Sequence, residues 1–323
     1  MDKRYAFIGN EAVGDVVRER LDAAGWTRTA DVASAGMVVT YCTSQTALED
    51  AYFDENGIVQ AASPNTVLVD LSASTPSFAR ELNAVAIVSD LAAVEAPLVV
   101  ADPMLSDALS DRDNLMCLVG GEEDDVEAAR PVLDALVGTV QETGGSGSAQ
   151  LARAAYTLQT SAQIMSAIEA DALYRAVQRS SAAFGATFGR AGATTPEAEQ
   201  VLAAVNAGRF DGAYTVEMLM SELSAALMAA DDVDLILPQA EACLHLLELL
   251  AVIGGSDKAP AALALVYGEE KTCAEQGLDW TRAEQAYGDV AEGFDDLDDD
   301  GHDHGHDHGS FGDYPGYGAY SAN

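Results

Sequence analysis

The residues with the most chemical content share one face of a single segment. Arg153, Tyr156, Thr157 and Thr160 stand at i, i+3, i+4 and i+7, the spacing of neighbours on an α-helix. They combine a permanent cation, a phenol and two hydroxyls. A guanidinium holds a carboxylate or polarises a carbonyl, but it stays protonated near neutral pH and shuttles no proton. A phenol beside a cation can donate one, because the cation favours its charged form. Most of the surrounding positions are Ala, Ser, Leu, Ile and Met, so the polar row must find partners or line a cavity. A purely structural role is the other reading: Arg153 pairs with an acid across a domain interface, and Tyr156 packs in the core with its hydroxyl satisfied.

A second constellation is Gly9-Asn10-Glu11-Ala12-Val13-Gly14. It joins a strand-like run, Tyr5–Gly9, to a helix with Val13, Val16, Val17 and Leu21 inward and Gly25 as its stop. Strand, Gly-turn and helix open a dinucleotide-binding unit, in which the helix N-terminus attracts the diphosphate and the middle Gly lets the backbone approach it. Here Glu11 stands where that middle Gly belongs. It adds bulk and a like charge, or its carboxylate occupies the anion site and caps the helix. A turn that binds no phosphate and a working cradle are both compatible with these residues. The third constellation is His302, His304, His306 and His308, alternating with Asp and Gly. This spacing chelates Zn²⁺ or Ni²⁺, although flexible His-rich tails do so without preformed geometry, and a solvating tail is the alternative.

The elements that must position these groups fall into two classes. Up to residue 143 the pattern alternates: strands at 5–9, 37–42, 66–70, 115–119 and 139–142 and a strand end at 91–97, with helices at 11–24, 47–53, 76–83 and 124–137 between them. Ser74 or Thr75 followed by Pro76 marks a capped helix start. Only eleven residues separate Gly25 from Met37, too few for a parallel strand, a crossover helix and the next parallel strand. Trp26–Ala30 can form at most a short strand, and Asp31 lies near the position that reads the adenosine ribose without a strand end to place it. The Gly-rich turn 144–147 then opens a segment, Ser148–Phe184, with neither Gly nor Pro. Its stripe of Leu151, Ala155, Leu158, Ala162, Met165, Ile168 and Ala172 predicts one long helix with that side inward. From Pro196 only helices follow, at about 196–207, 213–230, 236–253, 259–275 and 279–290. The expected organisation is an α/β domain at 1–147, a long helix and all-helical domain at 148–290, and an acidic, His-rich tail at 291–323 whose composition cannot bury a core.

The chain has 323 residues, 53 acidic and 16 basic, for a net charge of −37. Residues 292–323 carry only nine of the acids, so the folded part is itself strongly acidic. Nucleic acids and anionic membranes are repelled by such a surface. No apolar run reaches membrane-spanning length. The first residues enter a strand directly and do not read as a secretory signal, and the four scattered cysteines form no CxxC pair. A cytoplasmic protein with buried thiols is expected.

Taken together, Gly9–Gly14, Asp70-Leu-Ser72-Ala-Ser-Thr-Pro76, Glu95-Ala-Pro97 with Val119-Gly-Gly121, Gly147-Ser-Ala-Gln150-Leu-Ala-Arg153 and Gly254-Gly-Ser-Asp257-Lys258 resemble the β-hydroxyacid dehydrogenase family, which includes 3-hydroxyisobutyrate and 6-phosphogluconate dehydrogenases. The resemblance implies a Rossmann-like nucleotide domain, a long interdomain helix and a helical dimerisation domain. It also implies NAD or NADP as cofactor, with Gly9, Asn10, Glu11 and Gly14 at the diphosphate and Ser72 beside the nicotinamide, and a small-molecule substrate. The departures fall on the chemistry. The family's proton-transferring Lys is Arg153, and the Asn pair beyond it is Tyr156 and Thr157. The Ser-Gly-Gly that clamps the substrate carboxylate is Val99-Val100-Ala101, and the C-terminal Lys-Asp pair is Ser221-Glu222. Imine-reducing relatives also lack the Lys. The resemblance therefore implies an oxidoreductase for an altered carbonyl or imine substrate, with Arg153, Tyr156 and Thr157 at the reacting centre. The alternative is a dimeric binding or scaffold protein that has lost catalysis.

Overall fold

The structure, a computed structural model, describes residues 3–182 and 195–287. Its first half builds one sheet. In chain order come β1 (Arg4–Gly9), α1 (Glu11–Ala23), β2 (Thr27–Arg28), β3 (Met37–Tyr41), α2 (Gln45–Phe53), α3 (Ile58–Ala61), β4 (Val67–Asp70), α4 (Pro76–Val88), β5 (Ala92–Glu95), β6 (Leu98–Val100), β7 (Leu115–Gly120), α5 (Glu123–Leu136) and β8 (Thr139–Gly144). The strand order is β2-β1-β3-β4-β5-β7-β6, with β8 also paired to β7. β1 to β5 run parallel, while β7 runs antiparallel to β5 and β6.

Alternation along the strands covers both faces of the sheet. Tyr5, Val39, Val69 and Val94 pack with α1 and α5, and Ala6, Val38, Leu68 and Ala93 pack with α2 and α4. The first turn is tight for two separate reasons. Gly9 has φ +130° and a side chain there would strike the Tyr41 carbonyl, while Gly14 lets α1 lie directly on the Phe7 ring. Thr75, with Pro76 after it, caps α4 through the Phe78 amide, and Pro131 sits inside an unbroken α5.

The narrow stretch after Gly25 holds no crossover helix, as its spacing requires. A strand does form, but β2 has only two residues, and a 3-10 turn at Val32–Ser34 stands where a crossover helix would be. β2 ends opposite Tyr5, and β3 begins opposite the same residue on the other side of β1. The connection therefore moves sideways by two strand spacings, about 10 Å, without returning along a strand. Asp31 caps the 3-10 turn through the Ala33 amide. The antiparallel β6 was not legible as a strand, because its three apolar residues show no periodicity.

The second half is helical: α6 (Ser148–Ala182), α7 (Pro196–Asn206), α8 (Val216–Asp231), α9 (Pro238–Leu250) and α10 (Glu270–Glu275). In place of one helix over 259–275, the chain forms a 3-10 helix at Pro260–Tyr267 and then α10. It belongs with the sheet to a single unit, Met1–Ala283. The inward face of α6 is also not the expected one. In its first turns Gln150, Arg153, Ala154, Thr157 and Ser161 are buried, whereas Leu151 is 62% exposed. Of the expected stripe, Leu158 and Ala162 are half-buried, and Met165 and Ile168 are buried. Specific polar partners, described below, outweigh the apolar moment of those turns. All four cysteines are buried and unpaired. No helix of the described residues is long and apolar enough to cross a membrane.

The contact between Gly14 and Phe7 gives the first prediction. A Cβ at position 14 would lie 2.6 Å from the Phe7 ring, so Gly14→Ala should lower stability by about 1–3 kcal/mol. Trimming the ring with Phe7→Leu in the same chain should recover part of that loss, read as midpoints of urea unfolding.

Candidate active site

The strands deliver polar groups to the carboxyl edge of the sheet, and α6 starts there. Glu95 ends β5 and is buried. Its Oε1 accepts hydrogen bonds from the Gly147 and Ala149 amides at 2.7 and 3.0 Å, and Oε2 accepts from Gln150 N at 3.4 Å. One carboxylate thus satisfies the free amides of the helix start and opposes its dipole. Burial raises the Glu95 pKa, and those amide bonds oppose the shift. Gln150 continues the seam: Nε2 donates to the Ser72 carbonyl, and Oε1 accepts from Ser74 N, both at 2.9 Å.

Asp70, at the end of β4, anchors a second network. Its Oδ1 accepts from the Thr40 hydroxyl at 3.0 Å and from Ser72 N at 2.9 Å, and Thr40 also meets the Tyr52 hydroxyl at 2.8 Å. Burial pushes the Asp70 carboxyl up to about 6 in spite of these bonds. Ser72 is fully buried, and its hydroxyl oxygen accepts from the Cys42 amide at 2.9 Å. It joins the ends of β3 and β4 to the base of α6.

One to two turns along α6 the buried face meets α8. Arg153 is 3% exposed and forms an ion pair with Glu222 of α8. Its Nη1 donates to the Thr157 hydroxyl at 2.8 Å, and the Tyr214 hydroxyl donates to Glu222 Oε2 at 2.7 Å. Burial, the largest single effect, works against the Arg153 charge, but Glu222 together with Tyr214 and Tyr41 outweighs it and the pKa is raised. Burial raises the pKa of the nearby Tyr41 and Tyr214, and Glu222 adds to both shifts. The guanidinium carbon lies 5.6 Å from the centre of the Tyr156 ring, over its face. Nε of Arg153 is buried without a partner among the described residues. Two further bonds tie the helical half to the sheet, Thr43 Oγ1 to Glu217 at 2.9 Å and Ser77 Oγ to Asp232 at 2.7 Å.

Beside Tyr156, α6 lines a cleft of about 370 Å³. Tyr156, Gln159, Thr160 and Gln163 form its α6 wall, α7 contributes Glu197 and Gln200, and Ala101 and Met104 close one end. The tertiary structure therefore separates residues that are adjacent in the helical spacing. Arg153 and Thr157 belong to the buried pair, while Tyr156 and Thr160 reach the cleft. Val99 and Val100 are buried, so no hydroxyl replaces the family's carboxylate clamp.

The diphosphate loop retains its backbone but not its free amides. Asn10 caps α1, its Oδ1 accepting from Ala12 N at 3.0 Å and Val13 N at 3.3 Å. The cap is therefore Asn10 and not Glu11, which is exposed on the first turn. Opening such a cap costs about 1 kcal/mol, which a diphosphate at the Gly9–Gly14 turn would have to offset. The adenosine end fits less well, since β2 stops after two residues and Asp31 is occupied with its own turn. His302, His304, His306 and His308 lie outside the described residues. Among the described residues no group of three or more His, Cys, Asp or Glu side chains is placed to hold a metal.

Glu95 and Glu222 stand in segments that the sequence singles out for resemblance alone. Tyr41, Tyr214 and Thr40 carry no such mark, because they come together only through the packing of separate strands and helices.

Comparisons with known proteins agree with this architecture. Residues 8–145 match the family described as the NAD binding domain of 6-phosphogluconate dehydrogenase. An uncharacterized oxidoreductase of Bacillus subtilis, YkwC, is 27% identical over 136 residues, 42% of this chain and 46% of its own. An NAD-dependent L-serine dehydrogenase of Pseudomonas aeruginosa is 28% identical over 142 residues, 44% of this chain and 46% of its own. The match thus spans about half the length of these curated relatives. The crystal structure of Mycobacterium tuberculosis 3-hydroxyisobutyrate dehydrogenase with L-serine superposes with a TM-score of 0.63, at 20% identity, over 83% of this chain and all of that one. At that identity the likeness is one of fold, and it extends through the helical half.

Two predictions follow from the buried charges. Glu222→Gln strands the guanidinium away from water and should cost about 3–5 kcal/mol. Replacing both partners, Arg153→Met with Glu222→Leu, should cost less than the single change, and a single-change loss below about 1 kcal/mol would contradict the buried pair. Asp70 binds its proton more tightly in the fold than in the unfolded chain. Its stabilising contribution is complete below the unfolded pKa, near 4, and is lost as pH rises through about 6. From pH 5 to pH 7 the wild type should therefore lose about 1 kcal/mol of stability relative to Asp70→Asn, measured by urea unfolding at each pH.

Proposed function

We propose that the chain, whose residues 8–145 match the NAD binding domain of 6-phosphogluconate dehydrogenase, is a divergent member of the β-hydroxyacid dehydrogenase family and an NAD(P)-linked reductase of a small carbonyl or imine compound. The observation that carries this reading is the division of labour on α6. The position of the family's proton-transferring amine holds a guanidinium that is buried, ion-paired and covered by the Tyr156 ring. Tyr156 is left as the titratable hydroxyl on the cleft wall. In this reading Tyr156 supplies the proton and Arg153 with Thr157 positions it. When bound, the nicotinamide supplies the hydride. Gly9, Asn10 and Gly14 would hold the diphosphate, and Ser72 would position the neighbouring strand ends through Cys42 and Gln150. A protein that reduces a β-hydroxy acid's partner ketone in the family's usual way would need the amine and the carboxylate clamp, and neither residue set is present.

The reading includes a cytoplasmic homodimer assembled on the helical half. Leu173 and Val177 of α6, 68% and 44% exposed, are apolar surface that such an interface would cover. A second reading, a non-catalytic binding protein, is favoured by one specific feature: Asn10 already satisfies the amides that a diphosphate would use, beside the Glu11 charge.

Titration of nicotinamide fluorescence separates the two. NADH or NADPH should bind saturably at micromolar levels. Because β2 offers the adenosine almost nothing, the mononucleotide NMNH should bind within about tenfold of the better dinucleotide. If neither dinucleotide binds at low or at molar salt, the reductase reading fails and the binding-protein reading stands.

A further inference from the structure

We infer that the cleft between α6 and α7 binds a small cationic compound, an ammonium or iminium species, with Glu197 as its counter-ion. This deepens the reductase reading by naming the charge of its substrate, but it rests on the cleft alone and requires no cofactor.

The cleft wall is a set of free hydrogen-bonding groups with a single charge. Gln159 and Gln163 project from α6, and Gln200 projects from α7 one turn beyond Glu197. Among the described residues none of these four side chains is engaged in a side-chain hydrogen bond with the protein, and all four are exposed. Amide oxygens and a carboxylate are the acceptors that an ammonium group needs for its three donors. Among the described residues the lining holds no Lys or Arg. Arg153, against the Tyr156 ring, is buried and neutralised by Glu222. A carboxylate ligand would therefore give up its hydration and meet a like charge in return. The whole molecule reinforces the choice, because a net charge of −37 raises the local concentration of cations and depletes anions. Val99 and Val100, where the carboxylate clamp would be, are buried and apolar, so anion binding is lost at two independent places.

Three size-matched probes test the charge class: benzylammonium, benzyl alcohol and benzoate, titrated by calorimetry into the full chain without nicotinamide. Benzylammonium should bind about tenfold or more tightly than benzyl alcohol, with benzoate weakest. Glu197→Gln should bring the ammonium down to the affinity of the alcohol. Glu55→Gln, which removes one exposed acid far along the sequence, should leave the preference unchanged, and so separates a local counter-ion from the general field. Benzoate binding as tightly as the ammonium, no binding by any probe, or a preference that survives Glu197→Gln would each overturn the inference. Because NADH is titrated separately, failure here leaves the reductase reading open, and failure there leaves this one open.

Discussion

A carboxylate at the tip of β5 holds the first free amides of the longest helix in the molecule. Glu95 is buried, so its charge survives only through the Gly147, Ala149 and Gln150 amides and the helix dipole behind them. Among the described residues those amides are in turn satisfied by Glu95. The mutual requirement fixes where α6 starts and how it is rotated about its axis. Given that rotation, Gln150 reaches Ser72, Arg153 and Thr157 face inward, and Tyr156 lies on the boundary between the buried pair and the cleft.

Burying Arg153 against Glu222 is a choice with energetic consequences. Two desolvated ions stabilise a fold little compared with well-packed apolar residues, yet removing either one is costly. The pair therefore specifies the docking of α8 onto α6 more than it adds to stability. It also removes the permanent cation from the chemistry of the cleft. The guanidinium is part of the structural interior, and among the described residues the polar groups lining the cleft are a phenol, a hydroxyl, amides and one carboxylate.

The nucleotide end shows the same conversion of function-bearing geometry into self-contained structure. Gly9 and Gly14 are required by the Tyr41 carbonyl and the Phe7 ring whether or not a phosphate is present. Asn10 satisfies the helix amides, which makes the turn stable by itself. The two-residue β2 completes the sheet edge with the least chain that allows β3 to start on the other side of β1.

Periodicity and turn chemistry made most of the fold legible: the parallel strands, the Thr75–Pro76 helix start, the unbroken long helix and the change from alternating to all-helical at the Gly-rich turn. These are local signals, set by side-chain spacing and backbone freedom within a few residues. The rotation of α6 was not legible, because hydrophobic spacing favoured Leu151 inward, and only hydrogen bonds from distant strands reverse that preference. Nor could Asn10 be told from Glu11 as the cap, since both carry suitable oxygens one residue apart. The amino-acid sequence by itself determined which chemical groups the protein owns and which elements carry them. The tertiary structure alone decided which of those groups neutralise one another in the interior and which remain facing a cleft, because pairing between residues far apart in sequence depends on packing that no local pattern encodes.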